Sequence, residues 1–428
     1  MATDETLGSW LRQKRNDKEL GLREAAARAG ITHGYLSQLE SDKVKEPAPQ
    51  VLHRLADAYD EPFMLLMQVA GYIENDPARL SPNQTRALKI VGEPTDSELK
   101  AIRAVLDAIR STGASFPVFA QLDGYLDDHD RAGIRGHAVA LLRKADALGQ
   151  IPTPLERAME VSGLVLAGEI VLEPEMKKKL RQRFGDLVDR ALELILGSVR
   201  FDDHSVYLKP DLHWSKKRFV QAHEISHQIF PWQRDVYGYL DDEKRLRSDI
   251  YDRYERQANQ GAIEILAQGD ALRREADDSL LTFGLINELA GRFALSLQAT
   301  ARRVAEESEH EIALAICYRG RTTGKLMPPH LYCSKSFEER FRWQATGRAH
   351  STICPLINIV RFGQVPEQII EPDVHGRLTT IEVEQIQTPQ AVFLLFRPLP
   401  AKSKLRTLIA APASHRGQVL WPAEAYHR

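Results

Sequence analysis

The sequence predicts a multidomain chain, with an all-α bundle first, a mainly α domain with a small sheet second, and an α+β domain last. Three observations predict it. From Leu7 to Ala70, apolar residues recur at three- and four-residue spacing with almost no strand pattern. From Pro154 to Leu172 and from Met176 to Leu196 helical spacing returns, and VRFDDHSVYLKP then switches to short β-rich runs. Beyond Ala313, β-branched and aromatic residues alternate or cluster between Pro and Gly turns. The expected division is 1–72, 73–150, 151–312 and 313–428, the second segment being linker and helical spacer.

The bulk composition sets limits on function. Of 428 residues, 43% are hydrophobic and 27% charged, which is ordinary globular composition with enough chain for several cores. No basic leader with an apolar run and no stretch of eighteen apolar residues is present, so the expectation is a cytoplasmic protein without a membrane span. Cys317, Cys333 and Cys354 lack CxxC spacing and read as plain thiols. A net charge of -2 supplies no global basic field, so nucleic-acid binding must come from a local surface.

In the first bundle, LREAAARAG is a helix stopped near Gly30, and Thr32 can cap the next helix, THGYLSQLESD. Ala25, Ala26 and Ala29 keep the first of these helices thin, while Ile31, Leu36 and Leu39 anchor the second. Its remaining face stays polar. This stretch resembles the Xre or lambda-repressor type of helix-turn-helix over about residues 7 to 70. The resemblance implies double-stranded DNA as partner, with Thr32, His33, Tyr35, Ser37 and Gln38 at the major groove or phosphates. Arg23 and Lys43, with Arg12, Arg15 and Lys45, are then the expected phosphate contacts. A bundle used only for protein contacts is the alternative, and Asp17, Glu19, Glu24, Glu40 and Asp42 favour it. A near-neutral domain binds tightly only as a homodimer on two half-sites.

IENDPARLSPNQ reads as a linker, and ELKAIRAVLDAIRS, opened by the capping-box spacing Thr95 to Glu98, as a spacer helix or dimer contact. The stretch LDDHDRAGIRGH has no metal-loop spacing and reads as structural. The run SVYLKP, stopped by Pro210, reads as an edge strand that an extended peptide can join.

The chemistry concentrates in SKKRFVQAHEISHQIF, a helix with Ser215 as its expected cap and Pro231 beyond its end. Four-residue spacing places His223 and His227 on one face, one turn apart, where two imidazoles can meet one zinc ion. Glu224, rotated by about 100° from His223, is placed to act as general base on a water that zinc acidifies to a pKa of about 7. A catalytic zinc needs a third protein ligand, and no third histidine follows at short spacing. Downstream, DIYDRYERQANQGAIEILAQ is helical, with Glu255 the expected third ligand and Asp252 and Glu264 as alternatives.

HEISH and ERQAN together resemble the ImmA/IrrE (M78) metallopeptidases over about residues 150 to 310, including FALSLQATARRVAE. The resemblance implies a zincin-like domain with Zn2+ on His223, His227 and Glu255, Glu224 as catalytic base, and a protein substrate, typically a repressor. Two departures stand out: HEISH replaces the more usual HELGH, and GAIEIL stands where a bulky aromatic often follows. The segment LAGRFALSLQATARRV can pass for a second helix-turn-helix, but packing beside the site is the expectation.

In the last segment LAICYR, INIVRF, RLTTIEVEQI, AVFLLFR and RTLIAA are expected in an antiparallel sheet, with FEERFRWQATGRA as a helix against it. Some ImmA/IrrE relatives carry a sensor-like domain here; Cys333, Cys354 and His350 are too scattered to argue for a metal or redox sensor. The leading expectation is a DNA-binding zinc endopeptidase that switches genes by cleaving a repressor. The alternatives are a non-proteolytic regulator using the zinc fold as sensor, and the toxin or defence component of a self-regulated operon.

Overall fold

Apolar stripes recur five times in the first seventy residues, and a helix forms at each, with side-chain caps from Thr6 and Thr32 on the first and third. The computed structural model of the chain describes residues 6–73, 126, 128–169, 174–184, 197–200, 205–208, 212–239, 246–319, 326–327, 329–341, 343 and 365–399. Helices α1 (Leu7–Asp17), α2 (Leu22–Arg28), α3 (His33–Glu40), α4 (Pro49–Tyr59) and α5 (Phe63–Val69) make the bundle. Gly30 follows α2 with φ at +62°, a conformation that favours glycine, and the Thr32 hydroxyl accepts from Tyr35 N at 3.2 Å to open α3. Leu11, Leu36, Leu52 and Tyr59 fill the bundle core.

The bundle is not an island. Its apolar core runs on without a break into Phe230, Trp232, Val236, Tyr237 and Tyr254 of the following domain. Ile73 forms an antiparallel bridge with Leu246, and the Arg247 guanidinium lies 4.8 Å from the Tyr72 ring centre. Such continuity of buried apolar surface is what holds two domains in one orientation, because separating them would return that surface to water.

The second domain begins with α6 (Asp128–Lys144) and α7 (Leu155–Val161). The helical reading of Pro154 to Leu172 needs correction: Gly163, at φ +75°, ends α7, and Leu164 N turns back to Met159 O at 2.8 Å. The chain then enters β1 (Val165–Glu169) before α8 (Pro174–Phe184), β2 (Gly197–Arg200) and β3 (Ser205–Leu208). The strand order is β1-β3-β2, so SVYL is the central strand and not the expected edge. It pairs parallel to β1 and antiparallel to β2, and both sides of its backbone are occupied.

Helix α9 (Trp214–Ile229) follows, then α10 (Pro231–Tyr239), α11 (Ser248–Leu266), α12 (Ala271–Asp277), α13 (Phe283–Phe293) and α14 (Leu297–Glu307). Ser215 does not cap α9; His213 holds the cap position, while Ser215 lies inside the first turn, 2.9 Å from His213 Nδ1. Pro231 stops α9 and starts α10, since a proline lacks the N–H that the first turn leaves unpaired anyway. The pair α13 and α14 packs into the main core through Phe293, Leu295, Ala301 and Val304. Among the described residues no helix is long and apolar enough to cross a membrane.

The last domain is a sheet of order β5-β4-β8-β7-β6, from β4 (Ala313–Tyr318), β5 (His330–Cys333), β6 (Gln368–Pro372), β7 (Leu378–Gln387) and β8 (Ala391–Pro398). Every pairing is antiparallel, and α15 (Lys335–Phe341) buries Phe337 and Phe341 against it. The chain is therefore multidomain and mainly helical, with antiparallel pairing in its C-terminal sheet. The expected spacer segment 73–150 needs correction at its end, where α6 packs into the main core through Ala138, Leu141 and Leu142; the linker beyond Ile73, the helix ELKAIRAVLDAIRS, INIVRF, RTLIAA, His350 and Cys354 lie outside the described residues.

Candidate metal centre

Two helices that are far apart in sequence must cross closely for HEISH and ERQAN to meet, and small residues permit it. A Cβ built on Gly261 of α11 would lie 2.6 Å from Ser226 Oγ and 2.7 Å from Phe230 Cζ. Ser226 of HEISH is therefore accommodated by a glycine on the opposite helix. Ser226 is fully buried and turns its hydroxyl onto Ala222 O at 2.7 Å, keeping its own bulk close to α9. In an exposed helix, glycine to alanine stabilises by about 1 kcal/mol, whereas overpacking a filled contact costs about 1–3 kcal/mol. Gly261→Ala is accordingly expected to lower the unfolding midpoint, and a raised midpoint would show that the crossing is looser than it looks.

At this crossing the structure brings together His223, His227 and Glu255, one ligand atom from each lying within 4.8 Å of the others. The two Nε2 atoms are 3.0 Å apart, and each is 3.4 Å from an oxygen of Glu255. Three ligands bound at about 2.0–2.1 Å to one tetrahedral ion would stand roughly 3.3 Å apart, so this triangle matches one face of such a site. A catalytic ion on such a face keeps its fourth position for water or substrate.

Protonation supports the same reading. His227 Nδ1 lies 2.7 Å from Gln233 Oε1, and His223 Nδ1 lies 3.0 Å from Asn259 Oδ1. Gln233 is held in that sense because its Nε2 donates to Tyr254 O at 3.3 Å and to Gln257 Oε1 at 2.9 Å. An amide oxygen accepts only, so His227 Nδ1 must carry the proton and Nε2 is left with its lone pair. Two imidazole nitrogens and a carboxylate converging in this way form a donor set suited to a zinc-sized cation.

The other expected ligands are elsewhere. Asp252 is exposed, and Glu264 is fully buried between Arg135 Nε at 3.0 Å and Arg303 Nη2 at 2.9 Å. Glu224 is buried on α9 directly after His223. Gln233 was missed by sequence reasoning; its only signal is a polar residue in the apolar stretch IFPWQ six positions after His227.

In the N-terminal bundle, His33, Ser37 and Gln38 are exposed along α3, with Thr32 at its start. Tyr35 is half-buried against the bundle core, and Arg23, Lys43 and Lys45 are exposed. Arg15 needs correction as a phosphate contact. Its Nε and Nη2 bind the buried Glu40 at 2.6 and 2.9 Å, pinning α1 to α3, and the Glu40 bond raises its pKa despite burial. Arg12 is exposed but also reaches Glu40 O, at 3.0 Å. Glu40 and Asp42, counted as acids against DNA binding, have internal tasks: Asp42 accepts from Gly8 N at 3.0 Å and from the Thr6 hydroxyl at 2.7 Å.

Comparison with known proteins agrees with this bundle. A family model described as a helix-turn-helix domain matches residues 6–62. The HTH-type transcriptional repressor RghR of Bacillus subtilis (strain 168) is 32% identical over 82 residues, which is 19% of this chain and 61% of that protein. The chain thus spans under two thirds of that relative. A solved structure titled Mycobacterium tuberculosis transcriptional regulator is 12% identical, covering 68% of this chain and 79% of its own, with a TM-score of 0.37, too loose to support an argument. The N-terminal domain is a helix-turn-helix domain of Xre-like type.

Proposed function

We propose that the chain is a DNA-binding transcription regulator whose second domain is a zinc-dependent endopeptidase of the ImmA/IrrE kind, which switches genes by cleaving a repressor or other regulatory protein. The observation that carries the enzymatic half is the triangle of His223, His227 and Glu255, with His227 held by Gln233 in the tautomer that binds metal. When bound, a zinc ion would polarise a peptide carbonyl and acidify a water beside it. His223, His227 and Glu255 would hold it, and Asn259 and Gln233 fix both rings by accepting from Nδ1. Glu224 would take the proton from the attacking water and later return it to the leaving amine.

The DNA-binding half rests on the exposed row of His33, Ser37 and Gln38 along α3, which stays open although the bundle is docked on the rest of the chain. Exposed Arg23 and Lys43 flank it as phosphate contacts, and two half-sites would require a homodimer. One observation favours a second reading, a non-proteolytic regulator that uses the metal fold as sensor. The bundle and the metal domain share one core, an arrangement suited to transmitting a change from one to the other.

Metal analysis and DNA binding test the proposal together. Purified protein is expected to hold one zinc per chain and His223→Ala essentially none, while Gln38→Ala weakens binding to genomic fragments and leaves zinc content unchanged. Wild-type protein free of divalent metal would remove the enzymatic half.

A further inference from the structure

A line of buried amides leaves the metal centre and ends in the helix-turn-helix bundle. His227 Nδ1–H donates to Gln233 Oε1 at 2.7 Å, Gln233 Nε2 to Gln257 Oε1 at 2.9 Å, and Gln257 Nε2 to Gln50 Oε1 at 3.3 Å. Gln50 Nε2 then donates to Asp130 Oδ1, whose other oxygen accepts from Arg253 Nη2 at 2.6 Å. Gln233 and Gln257 are fully buried, and Gln50 and Asp130 nearly so, so none has bulk water as a ready substitute partner.

The direction of this line is determined at several points. The Trp232 indole N–H, which can only donate, meets Gln257 Oε1 at 2.9 Å. With its Oε1 held by Trp232, Gln257 turns its Nε2 to Gln50 Oε1, which leaves the Gln50 amide nitrogen for the Asp130 carboxylate, paired on its other oxygen with Arg253. All three amides then run in the same sense, and the acceptor presented to His227 is an oxygen. Hydrogen bonds ordered head to tail polarise one another, so the arrangement at Gln50 contributes to the one at His227.

We propose that Gln50, a residue of the helix-turn-helix bundle, is a positioning residue for the metal ligand His227, and that the DNA-binding bundle and the metal centre are energetically coupled through Gln257 and Gln233. This rests on the metal reading above. Gln50 lies on α4, which packs on α2 and shares the bundle core with α3, so occupation of the metal centre bears on the bundle that holds the recognition helix. Coupling of this kind is reciprocal: whatever holds the Gln50 amide in its place strengthens metal binding, and metal steadies α4 at Gln50.

The test uses the full chain, with zinc affinity read by chelator competition and backbone hydrogen exchange of α4 followed with and without zinc. Gln233→Leu, which removes the direct partner of His227, is expected to weaken zinc binding by about 10- to 100-fold. Gln50→Leu is expected to weaken it by at least about 5-fold, although Gln50 touches no ligand. Val51→Ala, which loosens the same helix without touching the amides, is expected to lower thermal stability and leave zinc affinity unchanged. In wild type, zinc is expected to slow exchange along α4. Unchanged affinity in a folded Gln50→Leu, or an equal loss in Val51→Ala, would overturn the coupling alone. Should Gln50→Leu fail to fold, unaltered α4 exchange on adding zinc to wild type would overturn it equally. A wild type that binds no zinc would overturn both this proposal and the metal reading beneath it.

Discussion

Glu224→Gln is expected to lower peptide hydrolysis by about 10²- to 10⁴-fold while leaving zinc content unchanged. The substitution keeps the shape of the side chain and removes its basicity, and a buried position on α9 gives bulk water little access to replace it as base. His223, His227 and Glu255 remain in place, so the metal should stay, in contrast to His223→Ala. Digestion of a peptide library read by mass spectrometry, alongside metal analysis of the same preparations, separates the two effects. Cleavage by Glu224→Gln at the wild-type rate would exclude this carboxylate as the base. Loss of zinc in the same variant would assign it a structural task at the site.

Glu264→Ala is expected to destabilise the fold by about 3–5 kcal/mol, the usual cost of removing one partner from a buried ion pair. Glu264 is fully buried, and Arg303, only 3% exposed, would be left facing a cavity with Glu307 as its remaining carboxylate. Arg135 also loses its 3.0 Å contact, which loosens α6 from α11, while its contact with Glu307 of α14 remains. The same variant, at a temperature where it remains folded, should bind zinc normally. Glu255→Ala should show the opposite pattern, with a small change in stability and a large loss of zinc. Denaturant unfolding followed by chelator competition reads both, and a mild effect on stability in Glu264→Ala would mean that the arginines find other partners.

These two glutamates also show what could be read in advance. Both lie on α11, in a segment whose helical spacing was plain, and Asp252 lies there too. Spacing placed all three carboxylates on one helix but could not say which turn of it faces HEISH. Glu264 is nine residues beyond Glu255, about 13 Å along the axis, so the point of crossing decides between a ligand and an ion-pair partner. That crossing is located by the close approach of Gly261 to Ser226 and Phe230, a contact between residues more than thirty apart in sequence.

The arginines of the first bundle repeat the lesson. By sequence Arg15 is an expected phosphate contact, because composition records charge and not direction, yet Glu40, 25 positions later, holds it inside. Gln233 and Gln50 carried no local signal, since a glutamine in a helical stretch reads as surface until a buried partner is known. Pro210 at the end of its run makes β3 read as an edge strand, whereas β1 and β2 enclose it, a pairing that its own residues do not encode.

What the sequence by itself determined were the features written in near-neighbour spacing: the five helices of the bundle, the Thr32 cap and Gly30 stop, the histidines one turn apart, and the β character of the last domain. Those follow from contacts between residues a few positions apart, whose geometry a helix or strand repeats wherever it forms. The tertiary structure brought Glu255, expected from ERQAN, to the histidines, and it alone decided which arginine remains available to a phosphate and that Gln50 of the first bundle is linked to His227 through Gln257 and Gln233. Each of these depends on how two preformed surfaces pack. That outcome is set by side-chain volume and buried hydrogen bonding summed over the whole interface, which no window of sequence contains.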